Sequence, residues 1–167
     1  MASDEDLLGA YLSDHLAGSV AAIDLIEKLR DQDEGTPLAA FMSGLKPEIE
    51  ADQAVLKQLI DRIGEPKNPV KQAGGWVMEK LTRVRFDERV TRSADLSRLL
   101  ELEMLAVGIE GKLCLWRALR ALAGSRPELA ALDLDSLIGQ AEQQRDSVEE
   151  HRVQAAVRAF RERGEAS

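Results

Sequence analysis

Apolar residues recur three and four residues apart along most of the chain. This spacing places side chains on one face of an α-helix, and no stretch shows the alternation of apolar and polar residues that is typical of a strand. The pattern predicts an all-α protein with long helices over residues 4–31, 37–63, 95–123 and 134–162 and a short helix over residues 70–85.

Residues at the helix ends support these bounds. Ser3 precedes three acidic residues and can cap a first helical turn, and Thr36 followed by Pro37 is a typical helix start. Pro47 lies inside the second segment, but the apolar pattern keeps its phase across it. We therefore expect one helix with a kink near Pro47 rather than two separate helices.

The link between the second and third long helices is much longer than the other links. It covers residues 64–94 and includes the short helix predicted over 70–85. Short links join antiparallel neighbours, whereas a long link that returns along the bundle is typical of the ferritin-like arrangement with one crossover. The sequence therefore predicts a single helical domain over residues 1–167, a ferritin-like four-helix bundle with a long crossover between its second and third helices.

The chain is acidic, with a formal net charge of −8. An acidic surface works against binding to nucleic acid or to an anionic membrane. No apolar run reaches the roughly 18 residues that a membrane-spanning helix needs, and the acidic start does not resemble a signal peptide. We therefore expect a cytoplasmic protein with no nucleic-acid partner and no membrane partner.

Cys114 is the only cysteine in the chain. A single thiol forms no internal disulfide and no thiolate zinc site. Its neighbours Leu113, Leu115 and Trp116 are apolar, so we expect Cys114 to pack as a small hydrophobic residue.

Two helices resemble those of the ferritin-like superfamily. The first contains YLSDHLAGSVAAIDLIEKL and the third contains LSRLLELEMLAVGIEGKLCLWRAL, and the resemblance, which covers most of the chain, is to a bacterial branch. It implies a di-iron or di-manganese site with one Glu from each of two helices and a Glu-x-x-His pair from each of the other two. The chain has two histidines, and Leu12 and Val148 stand three residues before them, so no Glu-x-x-His pair exists. The usual dimetal centre is therefore not expected.

Polar residues nevertheless interrupt the apolar faces of the four long helices. Those able to bind a metal ion are His15, Asp52, Glu103, Glu110 and His151. Imidazole and carboxylate groups bind iron, manganese or zinc. A non-standard metal site could form from His15, Asp52, His151 and either Glu103 or Glu110 if the bundle brought these groups to one level.

Ion pairing is the alternative for the two glutamates. Glu103 and Glu110 lie seven residues apart, which puts both on one face of a helix, and Arg145 and Arg152 have the same spacing on the fourth helix. Such pairs across a bundle add little net stability but can select one alignment of the helices. We expect ion pairing to account for Glu103 and Glu110 better than a metal site or a partner contact.

The motifs favour a binding or structural role over a catalytic one. The chain has no Gly-x-Ser-x-Gly elbow, no Gly-rich phosphate loop and no HExxH motif. We expect a non-catalytic binding or structural module that needs no cofactor and that associates with itself, as a homodimer, or with another protein. One alternative is a divergent metal-binding oxidoreductase or metal store that holds iron, manganese or zinc. The other is a bundle that binds an apolar ligand or lipid between its helices, although no dedicated pocket residues stand out.

Overall fold

A computed structural model describes residues 3–64 and 93–161. This part of the chain contains four α-helices, one 3₁₀ turn and no strand. The helices are α1 (Asp4–Gln32), α2 (Pro37–Ile63), α3 (Ala94–Leu122) and α4 (Leu134–Phe160), and the 3₁₀ turn covers Pro127–Leu129. The all-α prediction is confirmed for the described residues, and the helix predicted over 70–85 lies outside them.

Side chains fix where the first two helices begin. Ser3 Oγ accepts a hydrogen bond from the Asp6 amide at 3.1 Å, and Asp6 Oδ2 accepts one from the Ser3 amide at 3.0 Å. Thr36 Oγ1 accepts a hydrogen bond from the Ala39 amide at 3.3 Å. α2 then continues through Pro47 as one helix, because the apolar faces on both sides of the proline are buried in the bundle. The prediction of one continuous helix is confirmed.

The four helices form two antiparallel hairpins. α1 packs along α2, α3 packs along α4, and the hairpins meet mainly where α1 lies against α3. The start of α1 shares an apolar cluster with the ends of α2 and α3, and the end of α1 shares a second cluster with their beginnings. α2 and α3 therefore run parallel, so that α2 ends at one end of the bundle and α3 begins at the other.

Two apolar clusters make up the core. The first core cluster, where α1 begins, includes Leu12, Leu56, Leu59, Leu113, Trp116, Leu119 and Ala141. The second core cluster, at the opposite end, includes Ile26, Leu29, Met42, Ile49, Leu102, Leu105, Ile109 and Val148. Each large aliphatic side chain buried in this way stabilises the fold by about 1.5–3 kcal/mol. The bundle is therefore held at both ends by aliphatic packing.

The prediction that Cys114 packs as a core residue is wrong. Its side chain is exposed, although Leu113 and Leu115 on either side of it are buried. Consecutive residues of a helix point about 100° apart. Two buried neighbours can therefore flank a position that faces solvent.

Candidate functional site

Three largely buried polar side chains separate the two core clusters. Asp52 on α2 is 4% exposed, Gln144 on α4 is 3% exposed, and Lys112 extends from α3 to both. Together with Glu48 of α2, they form the mid-bundle polar layer. This layer stands where a continuous apolar core would otherwise connect the two ends of the bundle.

The polar layer is a connected hydrogen-bond network. Lys112 Nζ donates to Asp52 Oδ2 at 2.5 Å and also donates to Gln144 Oε1. Gln144 Nε2 in turn donates to Glu48 Oε2 at 2.9 Å. The buried Asp52 carboxylate and the amide of Gln144 therefore both have partners, as groups removed from water require.

Burial and pairing act on Lys112 in opposite directions. Burial disfavours the charged ammonium and lowers the pKa of Lys112 below its ordinary value, and the Asp52 carboxylate opposes this shift, with a further contribution from Glu48. Since Asp52 lies within hydrogen-bond distance, the pair places a compensated positive charge inside the bundle. The Lys112 ammonium group therefore balances the negative charge of the buried Asp52 carboxylate.

Lys112 was not among the residues predicted from the sequence, although its spacing marks it as a core position. The inward-facing residues of α3 alternate at three and four residues, as Leu102, Leu105, Ile109, Lys112, Trp116 and Leu119. A lysine on such a face extends into the bundle instead of into water. Asp52 occupies the corresponding position on α2, between Ile49 and Leu56.

A cleft opens beside the polar layer, between α1 and α3. This α1–α3 cleft has a volume of about 560 Å³. α1 lines it with His15, Ser19 and Ala22, which are polar or small, and α3 contributes Gly108 and Gly111. Large aliphatic side chains normally fill the space between two packed helices. The cleft lies where Ser19 and Ala22 of α1 and the two glycines of α3 leave this space unfilled.

Trp116 lines the cleft with a buried indole. The residue is 1% exposed, and its Nε1 has no hydrogen-bond partner within the part of the chain that the structure describes. An indole N–H can only donate, and leaving such a donor unsatisfied destabilises a protein by about 1–3 kcal/mol. Lys112 and Asp52 line the same cleft, as do the carboxylates of Asp14 and Asp24.

The two predicted histidine ligands contact aromatic rings. His15 meets Tyr11 edge to face with ring centroids 4.7 Å apart, and His151 stacks on Phe41 with centroids 4.4 Å apart. Burial lowers the pKa of His15, while the nearby Asp14 carboxylate acts in the opposite direction. Burial also lowers the pKa of His151. Both imidazoles are therefore held toward the neutral form.

The depressed histidine pKa values predict a loss of stability in mild acid. The folded state binds fewer protons than the unfolded state once the pH falls below the ordinary histidine pKa of 6.5. The stability contributed by neutral His15 is complete above that pH and is lost as the pH falls through the folded-state pKa. We expect His15→Gln to reduce the difference between the free energies of unfolding, from urea denaturation, at about pH 7 and about pH 5.5, where most carboxylates remain charged. An unchanged difference would contradict this assignment.

Glu103 and Glu110 pair with arginines of α4, as predicted. Arg152 Nη1 lies 3.4 Å from Glu103 Oε1, and Arg145 Nη1 lies 3.5 Å from Glu110 Oε2. Each step of seven residues along α3 is matched by a step of seven residues back along α4. The ion pairs are thus compatible with only one antiparallel alignment of these helices.

The two arginines have closer partners within their own helix. Arg152 Nε lies 2.6 Å from Glu149 Oε2, and Arg145 Nη2 lies 3.0 Å from Asp146 Oδ1. The two glutamates of α3 are 44% and 47% exposed. Exposed pairs of this kind contribute about 0–1 kcal/mol each, so their effect is on alignment more than on stability.

A second buried carboxylate, Glu101, lies at the end of the bundle where α1 ends. Lys28 Nζ lies 2.7 Å from its Oε1, and Arg98 Nη1 lies 2.6 Å from its Oε2. The Arg98 guanidinium also contacts Asp33 Oδ2 at 2.5 Å and donates to Gln32 Oε1 at 2.8 Å. Arg98 therefore ties the first turns of α3 to the last turn of α1.

The five predicted metal ligands have different surroundings. Asp52 contacts Lys112, the two glutamates contact arginines, and the two histidines contact aromatic rings. Within residues 3–64 and 93–161, no three His, Cys, Asp or Glu side chains lie close enough together to hold a metal ion. A metal role for these residues stays a prediction.

Comparison of the chain with protein-family models, with curated proteins and with solved structures found no match. The resemblance to the ferritin-like superfamily therefore stays a prediction from the sequence. No helix of the described residues combines the length and the apolar character that crossing a membrane requires.

Proposed function

We propose that this chain is a ferritin-like helical bundle that serves as a non-catalytic binding or structural module without an intact dimetal centre. The packing supports the ferritin-like part of the proposal. α1 and α2 are antiparallel, α3 and α4 are antiparallel, and α2 and α3 run parallel. A bundle with one crossover between its second and third helices requires this arrangement.

The position of Lys112 supports the non-metal part of the proposal. Dimetal bundles place their carboxylate and imidazole ligands on facing helices inside the core. Here the buried carboxylate of Asp52 is neutralised by the Lys112 ammonium at 2.5 Å, with Gln144 as its second acceptor. A metal ion at this level would have to displace a tethered cation that is already present.

Metal analysis tests this proposal directly. The full chain is purified without chelators and without an affinity tag, and its iron, manganese and zinc are measured by elemental analysis. We expect less than stoichiometric metal and a melting temperature that neither added metal nor chelator changes. Stoichiometric iron, manganese or zinc would favour the alternative, a divergent metal-binding oxidoreductase or metal store.

The variants Glu103→Gln and Glu110→Gln extend the same experiment. If the two glutamates only pair with arginines, each variant loses at most about 1 kcal/mol, and the loss is the same with and without added metal. A loss that appears only when metal is present would assign the glutamates to a metal site.

We propose that this protein associates with itself, as a homodimer, or with another protein. Val153, Val157 and Phe160 near the end of α4 are exposed apolar side chains, and such groups favour contact with a further surface when they are contiguous. The net charge of −8 supports the expectation of no nucleic-acid and no membrane partner. A cytoplasmic location stays a prediction from the sequence.

A further inference from the structure

The α1–α3 cleft has the size and the lining of a small-molecule site. Its volume of about 560 Å³ falls in the range of such sites, which are mostly apolar with a few placed polar groups. Leu25, Leu56 and Leu105 supply part of its apolar lining from three different helices. A compact apolar molecule would therefore exchange water for apolar contacts on entering the cleft.

Two uncharged polar side chains of the lining, Ser19 and Gln53, already have partners within the bundle. Gln53 Nε2 donates to Ser19 Oγ at 2.9 Å, and Ser19 Oγ donates to the Leu16 carbonyl at 2.6 Å. Gln53 Oε1 accepts from Lys57 Nζ at 2.8 Å. These two side chains therefore require no hydrogen bond from a ligand.

The charges of the lining do not balance. Asp14, Asp24 and Asp52 contribute carboxylates, whereas Lys112 is the only lysine or arginine among the described residues that line the cleft. Lys112 is paired with Asp52, so its charge does not offset the other two carboxylates. Within residues 3–64 and 93–161, Asp14 and Asp24 form no ion pair. The lining therefore carries an excess of negative charge.

Asp14 is the better placed of these two carboxylates to hold a cation. It is half-buried, whereas Asp24 is exposed, and a charge partly removed from water attracts a counter-ion more strongly. Burial lowers the pKa of the neighbouring His15, so at about pH 7.5 its imidazole is neutral and does not supply that counter-ion. The two carboxylates lie ten residues apart, about 15 Å along α1, so a single ammonium group can contact only one of them.

We propose that the α1–α3 cleft binds a small apolar molecule that carries one protonated amine, with the ammonium group at the Asp14 carboxylate and the apolar body between α1 and α3. The inference rests on the proposed binding function and names its ligand class. An anion of the same shape would meet the excess of carboxylates, and a neutral molecule would leave Asp14 without a counter-ion. The apolar body has room beside the glycines of both helices, because a Cβ at Gly18, Gly108 or Gly111 would meet no atom within 4 Å.

Three probes of nearly equal shape test the ligand class. They are 1-naphthylmethylamine, which is a cation at neutral pH, the neutral 1-naphthylmethanol, and the anion 1-naphthoate. Binding of each probe to the full, metal-free chain is measured by isothermal titration calorimetry. We expect the cation to bind about three- to fivefold more tightly than the alcohol, and the anion to bind most weakly. Added salt should narrow the difference between the cation and the alcohol, because salt screens a half-exposed charge.

Asp14→Asn tests which group holds the ammonium. The substitution removes the charge with little change of shape, so the affinity for the cation should fall to about that for the alcohol, whose own affinity should not change. Asp24→Asn is the matched control, since it removes the same charge from another lining residue of the same helix. It should keep the preference for the cation.

Two glycine variants show whether the cleft is the site. Gly18→Leu should abolish binding of all three probes because the new side chain enters the cleft, where a Cβ meets no atom within 4 Å. Gly44→Leu is the matched control, since a Cβ there also meets no atom within 4 Å and Gly44 does not line the cleft. It should leave binding unchanged. If circular dichroism shows that Gly18→Leu does not fold, Asp14→Asn still decides the result.

Several results overturn the inference. Tightest binding by the alcohol or the anion removes the preference for a cation, and a preference that survives Asp14→Asn removes the role of that carboxylate. Binding that survives Gly18→Leu places the site elsewhere. If metal-free protein binds none of the probes, this inference fails while the proposed function stands, whereas stoichiometric metal removes the proposed function without altering the preference for the cation.

Discussion

Asp52→Ala is expected to lower the free energy of unfolding by about 3–5 kcal/mol. The substitution leaves the Lys112 ammonium inside the bundle without its counter-ion, which lies 2.5 Å away in the folded protein. Gln144 remains as an acceptor, but a neutral amide does not offset the desolvation of a full charge. Urea denaturation followed by circular dichroism at neutral pH measures the loss.

Replacing Asp52, Lys112 and Gln144 together tests the cause of the loss in Asp52→Ala. It distinguishes the effect of an unpaired Lys112 charge from the effect of the missing aspartate itself. In the variant Asp52→Leu/Lys112→Met/Gln144→Leu, the two core clusters become continuous and no buried charge remains between them. We expect a stability equal to or above that of the parent, because buried ion pairs are often weaker than well-packed apolar side chains. A loss below about 1 kcal/mol for Asp52→Ala alone would contradict the argument, because it would mean that Lys112 is hydrated or loses its proton in the variant.

The triple variant also tests why the fold keeps this network. If every helix had the same apolar spacing, one helix could shift along another and still bury its apolar face. Lys112 can contact both Asp52 and Gln144 in only one alignment of the helices. Buried polar groups fix register in some helical assemblies. We expect the triple variant to be stable but less uniquely packed, with broader amide NMR resonances than the parent.

The helices could be predicted from the sequence because their signals are local. Ser3 and Thr36 cap the helices that follow them, and the apolar spacing continues without interruption through Pro47. The ion pairs of Glu103 and Glu110 were also predictable, since equal spacing on two antiparallel helices brings opposite charges together. Each of these features depends on residues a few positions apart or on a simple repeat.

The cleft and the buried charged residues could not be predicted in the same way. Lys112 has the spacing of a core residue, but whether it meets a carboxylate depends on the level of α2 and α4 beside it. Glu101 does not follow the core spacing, and its partners are Lys28 of α1 and Arg98, which also reaches the end of α1. The cleft depends on which small residues of α1 face the glycines of α3. These are properties of packing between distant segments.

Arg98→Met is expected to lower the free energy of unfolding by about 3 kcal/mol. The Arg98 side chain is 13% exposed, and it is the group that joins Glu101, Asp33 and Gln32 at one point. Without it, the buried Glu101 carboxylate keeps only Lys28 as a partner among residues 3–64 and 93–161. The first turns of α3 also lose their polar connection to the end of α1, so unfolding in urea should occur at lower concentration.

Two matched variants identify the cause of that loss. Lys28→Met removes the other cation of the same carboxylate, but its side chain is 53% exposed, so we expect a loss of at most about 1 kcal/mol. Arg98→Lys keeps the charge and removes the planar fork that reaches two carboxylates and an amide, and it should fall between the parent and Arg98→Met. Equal losses for Lys28→Met and Arg98→Met would contradict the argument, because they would show that charge alone, and not burial and geometry, determines what each cation contributes.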